Sequence, residues 1–170
     1  RWNSSLGEFD DLSRISVDLT DELVMSLLEK DDVLWVGTMA GGVNLVKNDR
    51  VIGQFEYDET NPQSLSSNAV SRLYVDSQDR MWLTTYGGGV NLYMGEDKFK
   101  RYPVEDNPKG AFRDKRTLDI IEGPDGIFWI ATDGGGVILL DAESGDTKAL
   151  VHKPDDPTSL SSDNVISILY

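Results

Sequence analysis

Met81-Trp82-Leu83-Thr84-Thr85-Tyr86-Gly87-Gly88-Gly89-Val90 decides the fold, because the chain repeats it three times. Leu34-Trp35-Val36-Gly37-Thr38-Met39-Ala40-Gly41-Gly42-Val43 precedes it and Phe128-Trp129-Ile130-Ala131-Thr132-Asp133-Gly134-Gly135-Gly136-Val137 follows, so Trp35, Trp82 and Trp129 stand 47 residues apart. Self-similarity at a fixed period of this size marks a repeat architecture. A second landmark returns two periods on: Asn61-Pro62-Gln63-Ser64-Leu65-Ser66-Ser67-Asn68-Ala69-Val70 becomes Asp156-Pro157-Thr158-Ser159-Leu160-Ser161-Ser162-Asp163-Asn164-Val165.

Working outward from the tryptophans, each unit holds apolar runs of roughly 4–7 residues, rich in Val, Ile, Leu and aromatics, with no sustained helical period. In the second unit the expected strands are Val70–Val75, Arg80–Thr85, Gly89–Met94 and Phe99–Tyr102. Turn residues separate the first two strands of every unit: Glu29-Lys30-Asp31-Asp32, Asp76-Ser77-Gln78-Asp79 and Gly123-Pro124-Asp125-Gly126. Four short antiparallel strands per repeat of this length predict an all-β chain, a partial β-propeller of four-stranded antiparallel blades. The expected blades are 22–58, 69–103 and 117–152, with a single strand of an incomplete blade at 164–170.

The repeated Trp35, Trp82 and Trp129 are read as structural, each ring filling the wedge between neighbouring sheets and burying on the order of 150–250 Å². Gly42, Gly89 and Gly136 are also structural, since the turn into the third strand calls for positive φ and close backbone approach. They do not lie between a strand and a helix, as a phosphate-cradling loop would require.

Lys and Arg number 16 against 30 Asp and Glu, a formal charge of −14, which disfavours nucleic acid and anionic membrane surfaces as partners. With no cysteine and one histidine, His152, the chain offers no disulfide, thiolate site or two-histidine zinc site, so neither metal nor cofactor is expected. No apolar run approaches the ~20 residues that span a bilayer. The carboxylates fall in hairpins and interblade loops with no nucleophile-and-base spacing, so the expected role is not enzymatic.

Leu65–Val70, Asp76–Arg80, Trp82–Thr85 and Gly88–Leu92 carry a pattern of Leu-Ser-Ser-Asn-x-Val, acidic hairpin, Trp strand and Gly-Gly-Val-Asn-Leu that resembles the two-component regulator propeller repeat. Such repeats build the periplasmic sensor region of bacterial receptors whose cytoplasmic output is a histidine kinase or diguanylate cyclase. The resemblance therefore implies a ligand-sensing module in signal transduction, extracytoplasmic and non-catalytic in itself. The sequence departs from the pattern at Thr84-Thr85 and Ala131-Thr132, where Gly37-Thr38 is intact, and at Lys109-Gly110-Ala111-Phe112-Arg113-Asp114-Lys115-Arg116, which replaces the Ser-Leu-Ser-Ser loop.

The 170 residues hold about 3.6 periods, short of the roughly 4–8 blades of a closed ring. Two exposed edges would template association, so a homodimer, or pairing with further blades of a longer parent chain, is expected. In that arrangement residues 6–17, of this or another copy, complete the blade begun by the strand at 164–170.

Ligand contacts belong on the face where interblade loops meet the turns between second and third strands. There Met39, Tyr86 and Asp133 differ at one matched position, and an aromatic beside a carboxylate suits an extracellular ligand such as carbohydrate. Arg113, Lys115 and Arg116 add a basic patch able to hold an anion or an acidic partner. A propeller-type carbohydrate-active enzyme using Asp133, and a scaffold for protein assembly, are the competing readings.

Overall fold

The computed structural model describes residues 2–3, 8–9, 17–102 and 114–169. Fourteen strands occur among them: β1 Trp2–Asn3, β2 Glu8–Phe9, β3 Val24–Lys30, β4 Val33–Thr38, β5 Val43–Lys47, β6 Arg50–Phe55, β7 Val70–Val75, β8 Met81–Thr85, β9 Gly89–Tyr93, β10 Phe99–Tyr102, β11 Thr117–Glu122, β12 Ile127–Thr132, β13 Val137–Asp141 and β14 Thr147–Leu150. After the β1–β2 pair come three antiparallel four-stranded sheets in simple order, β3–β6, β7–β10 and β11–β14, which are the three blades. The second-blade strands agree with the sequence expectation to within a residue at each end. Tight hairpins close the strands: Asp31-Asp32, Asn48-Asp49 and Glu96-Asp97 all take positive φ at both residues, the twist-matched geometry that favours Asn and Asp.

Alternation along the second strand of each blade sends residues to opposite neighbours. Trp82 faces the third blade, its ring 4.3 Å from Phe128, while Met81 and Leu83 join Trp35, Val43 and Leu73 in the core shared with the first blade. Trp35 likewise reaches forward, 5.1 Å from Tyr93 of the second blade. Trp35 and Trp82 are both buried in these contacts between blades. Trp129 points the same way but remains half-exposed, because no described blade covers that side.

Each innermost strand carries a bulge at the same place, between Val24 and Ser26, Val70 and Arg72, and Thr117 and Asp119. The bulged residues stitch one inner strand to the next. Ser26 Oγ accepts the Leu73 N–H at 2.9 Å, and Arg72 Nε lies 3.3 Å from Asp119 Oδ1. Asp119 Oδ2 then takes the Ser167 hydroxyl at 2.7 Å and the Ile168 N–H at 3.1 Å. Residues 165–169 run alongside the third blade by these bonds and by the Val165 N–H donating to the Thr132 carbonyl at 2.9 Å, without forming a strand; the Asp133–Asn164 bridge lies just before them. The proposed completing segment, 6–17, lies almost wholly outside the described residues.

The glycine turns close each blade against the following loop. Gly42, Gly89 and Gly136 donate their N–H groups to the carbonyls of Asn68, Lys115 and Asp163 at 2.9, 3.1 and 2.8 Å. Gly42 and Gly136 have φ of 68° and 77° and would set a Cβ 2.1 Å from a carbonyl oxygen, Phe55 or Leu150, so no other residue fits there. Thr38, Thr85 and Thr132 finish the turn from below, each buried hydroxyl donating to the carbonyl of that glycine at 3.0, 2.9 and 2.8 Å. The Trp-x-x-Thr-x-x-x-Gly spacing thus has one physical cause in all three blades.

Candidate functional site

The turn after β8 and the turn after β12 present Tyr86 and Asp133 on the same face, one blade apart. Tyr86 bridges to Arg116, which enters the third blade, and the Asp133 N–H donates to the Arg116 carbonyl at 3.0 Å. Arg116 is therefore held by backbone pairing between the two turns before its side chain does anything.

The side chains then converge. Tyr86 donates its hydroxyl to Asp133 Oδ2 at 2.9 Å, and Arg116 Nη1 donates to the same oxygen at 2.9 Å. Arg116 Nε reaches Asp114 Oδ1 and Oδ2 at 2.9 and 3.1 Å, and Nη2 also pairs with Asp114 Oδ2. The guanidinium carbon lies 5.9 Å from the Tyr86 ring centre. Its fork of donors thus binds two carboxylates while its plane approaches an aromatic face, a geometry lysine cannot supply. The hydrogen bonds that Arg116 donates to the Asp114 carboxylate, with the neighbouring Tyr86, raise the Arg116 pKa further, and the Arg116 guanidinium holds the Asp114 carboxyl below the usual carboxylate range.

Tyr86, Arg116 and Asp133 are therefore one partly exposed network spanning two blades, and it is already paired. Asp133 sits as an acceptor between a phenol and a guanidinium. Met39 occupies the matching turn of the first blade, 40% exposed, its N–H bonded to the Leu23 carbonyl at 2.9 Å and outside this network. Lys115 contributes through its main chain, its carbonyl accepting the N–H groups of Gly87, Gly89 and Thr117. Arg113 lies outside the described residues. Asp114, the anchor of Arg116, was absent from the expected contacts; the signal for it is the Asp114-x-Arg116 spacing, which puts both side chains on one side of an extended chain. No group of three or more His, Asp or Glu able to hold a metal ion occurs among the described residues.

The stretch of chain that runs from the Ser-Leu-Ser-Ser loop through the second inner strand, its hairpin, Trp82 and Tyr86 is the one that carries the family match. Residues 64–87 match the two component regulator propeller family. Among solved structures, this propeller is similar to the extracellular domain of BT3049 from B. thetaiotaomicron, described as a hybrid two component system, at 23% identity and a TM-score of 0.72, covering 84% of this chain and 20% of that one. It is also similar to the extracellular domain of BT4673 from the same organism, described as a one component system, at 26% identity and 0.59 over 72% and 17% of the two chains. Virginiamycin B lyase from Staphylococcus aureus shares the fold at 20% identity and 0.57, over 81% and 44%. The chain thus spans about a fifth of the length of the extracellular domains it resembles. No curated protein sequence matches it.

Proposed function

We propose that these blades are part of the ligand-sensing, extracytoplasmic region of a two-component-type receptor, and that they bind without catalysing. The observation that carries the reading is the Tyr86–Arg116–Asp133 network, which joins two blades at the exposed face of a two component regulator propeller repeat. The likeness to extracellular domains of hybrid and one component systems supports it.

A sensor must bind its ligand differently in two arrangements, since equal affinity for both shifts nothing. A network that spans a blade seam suits that demand: a ligand exchanging hydrogen bonds with Asp133 or Arg116 changes what ties the second blade to the third. The Tyr86 ring offers an apolar face and the paired ions offer donors and acceptors, which fits a neutral hydroxyl-rich ligand such as an oligosaccharide. The enzyme reading asks Asp133 to act as acid or base, yet its carboxylate is committed to Tyr86 and Arg116.

A panel of oligosaccharides titrated calorimetrically should give at least one binder whose affinity falls about tenfold or more in Tyr86→Ala, equivalent to losing ~1.4 kcal/mol. Product formation that disappears in Asp133→Asn would instead establish an enzyme.

A second reading concerns association. Leu23, Met25 and Leu27 at the start of the first blade are 65%, 51% and 60% exposed, and Ile166 and Leu169 at the other end are 79% and 97% exposed. These apolar surfaces favour packing of each end face against another blade, of a second copy or of a longer parent chain.

A further inference from the structure

The two loops that share the Ser-Leu-Ser-Ser sequence fold alike. Asn68 Oδ1 caps the Tyr57 N–H at 2.6 Å as Asp163 Oδ1 caps that of His152 at 2.6 Å. Ser64 Oγ accepts the Asp58 N–H at 2.8 Å as Ser159 Oγ accepts that of Lys153 at 2.9 Å. What differs is the occupant.

The first loop is filled by β10. The Phe99 N–H donates to the Gln63 carbonyl at 2.7 Å, and two residues on Arg101 enters the loop. Its Nε donates to the Ser64 carbonyl at 2.8 Å, and its Nη2 to the carbonyls of Asn61 and Leu65 at 3.0 and 2.9 Å and to Ser64 Oγ at 2.7 Å. The Tyr57 ring lies 5.6 Å from the guanidinium carbon. In the second loop the corresponding groups are the carbonyls of Thr158, Asp156, Ser159 and Leu160, Ser159 Oγ and the His152 ring, and no described arginine enters among them. A cavity of about 310 Å³ opens there instead, between this loop and β14.

The third blade supplies an internal control. The loop before it lacks the Ser-Leu-Ser-Ser sequence, and both residues that grip that loop in the second blade are gone. Asn91, which exchanges hydrogen bonds with Ser66 at 3.0 and 2.8 Å, is matched by Ile138; Arg101, paired with Asn91 across the strands, is matched by Ala149. In the second and third blades the loop that leads in and the arginine are present together or absent together.

We propose that residues 152–160 form an arginine-reading site that docks an extended strand carrying an aromatic-x-Arg pattern, as Phe99-Lys100-Arg101 does one loop earlier. The strand's N–H pairs with the Thr158 carbonyl, and its guanidinium with the carbonyls of Asp156, Ser159 and Leu160 and with Ser159 Oγ. His152 Nδ1 already lies 2.7 Å from the Leu160 oxygen, whose second lone pair serves the arginine. Lys153 replaces Asp58 and Asp156 replaces Asn61, so the loop keeps one carboxylate, moved closer to the guanidinium's carbonyl partner. The described outer strands of a second copy do not qualify, since Arg101 is engaged at home and the others present Gln54 and Ala149 at that position. The partner is an arginine-bearing strand of another blade.

The probe is a capped peptide of the β10 sequence, Asp-Lys-Phe-Lys-Arg-Tyr, titrated into the labelled protein while the amide resonances of Thr158, Ser159 and Leu160 are followed. Saturable shifts at these residues are expected, with affinity about tenfold weaker for the peptide bearing citrulline in place of arginine and for the Ser159→Ala protein. The citrulline arm uses the unaltered protein and so reads the site whether or not the variant folds. Equal binding of the citrulline or a lysine peptide, shifts confined to other residues, or no saturable shift would overturn the proposal.

Discussion

Asp76 shows how one carboxylate organises a hairpin. Its fully buried side chain accepts Trp82 Nε1 at 2.7 Å, Arg80 Nε at 2.6 Å and the N–H groups of Gln78 and Arg80 at 2.9 Å each. Burial pushes its pKa up, but these four donors outweigh burial and hold it below the usual carboxylate range. A folded pKa beneath the unfolded ~3.9 contributes stability that is complete above about pH 4 and is lost as pH falls through the folded value. Asp76→Asn should therefore cost roughly 1.5–3 kcal/mol in urea unfolding near neutral pH, and the gap to the unaltered protein should narrow as the medium is acidified below about pH 4. From the sequence Asp76 was legible only as a turn residue. Its reach to Trp82 depends on the pairing of Tyr74 with Trp82, and the other blades carry Glu29 and Gly123 at the same point, so no repeated signal marks it.

Arg101 ties two elements together, the outer strand of the second blade and the loop leading into that blade. Its four hydrogen bonds go mostly to main-chain carbonyls, which makes the planar fork of arginine necessary. Arg101→Ala should lower stability by roughly 1.5–3 kcal/mol and speed amide exchange across 57–66, and Arg101→Lys should recover less than half of that loss. Equal protection of the loop in all three proteins would contradict this account. The strands and their order were legible because Trp82, the glycine turns and the Asp-rich hairpins recur with the period, and each recurrence has a steric or hydrogen-bonding cause. The site was legible in part. The matched position of Tyr86 and Asp133 drew attention to them, but their joint bond to Arg116 arises from the Tyr86–Arg116 bridge, a contact between blades that strand periodicity within one blade does not encode.

Across the whole molecule the blades behave as layers meant to be covered on both sides. Phe128 and Ile130 of β12 are buried against the second blade, whereas Trp129 between them faces outward half-exposed, and the exposed Leu23, Met25 and Leu27 occupy the opposite end. Between those ends lies the seam that carries the Tyr86–Arg116–Asp133 network, and the account rests on that seam being where a ligand is felt. The most direct measurement is an amide shift map of the labelled protein on saturation with the tightest oligosaccharide of the panel. The account predicts that Tyr86, Gly87, Arg116, Thr117, Asp133 and Gly134, drawn from both blades, shift together and that the same titration leaves Asp133→Asn largely unmoved. Shifts confined to one blade, or a map identical in Asp133→Asn, would contradict it.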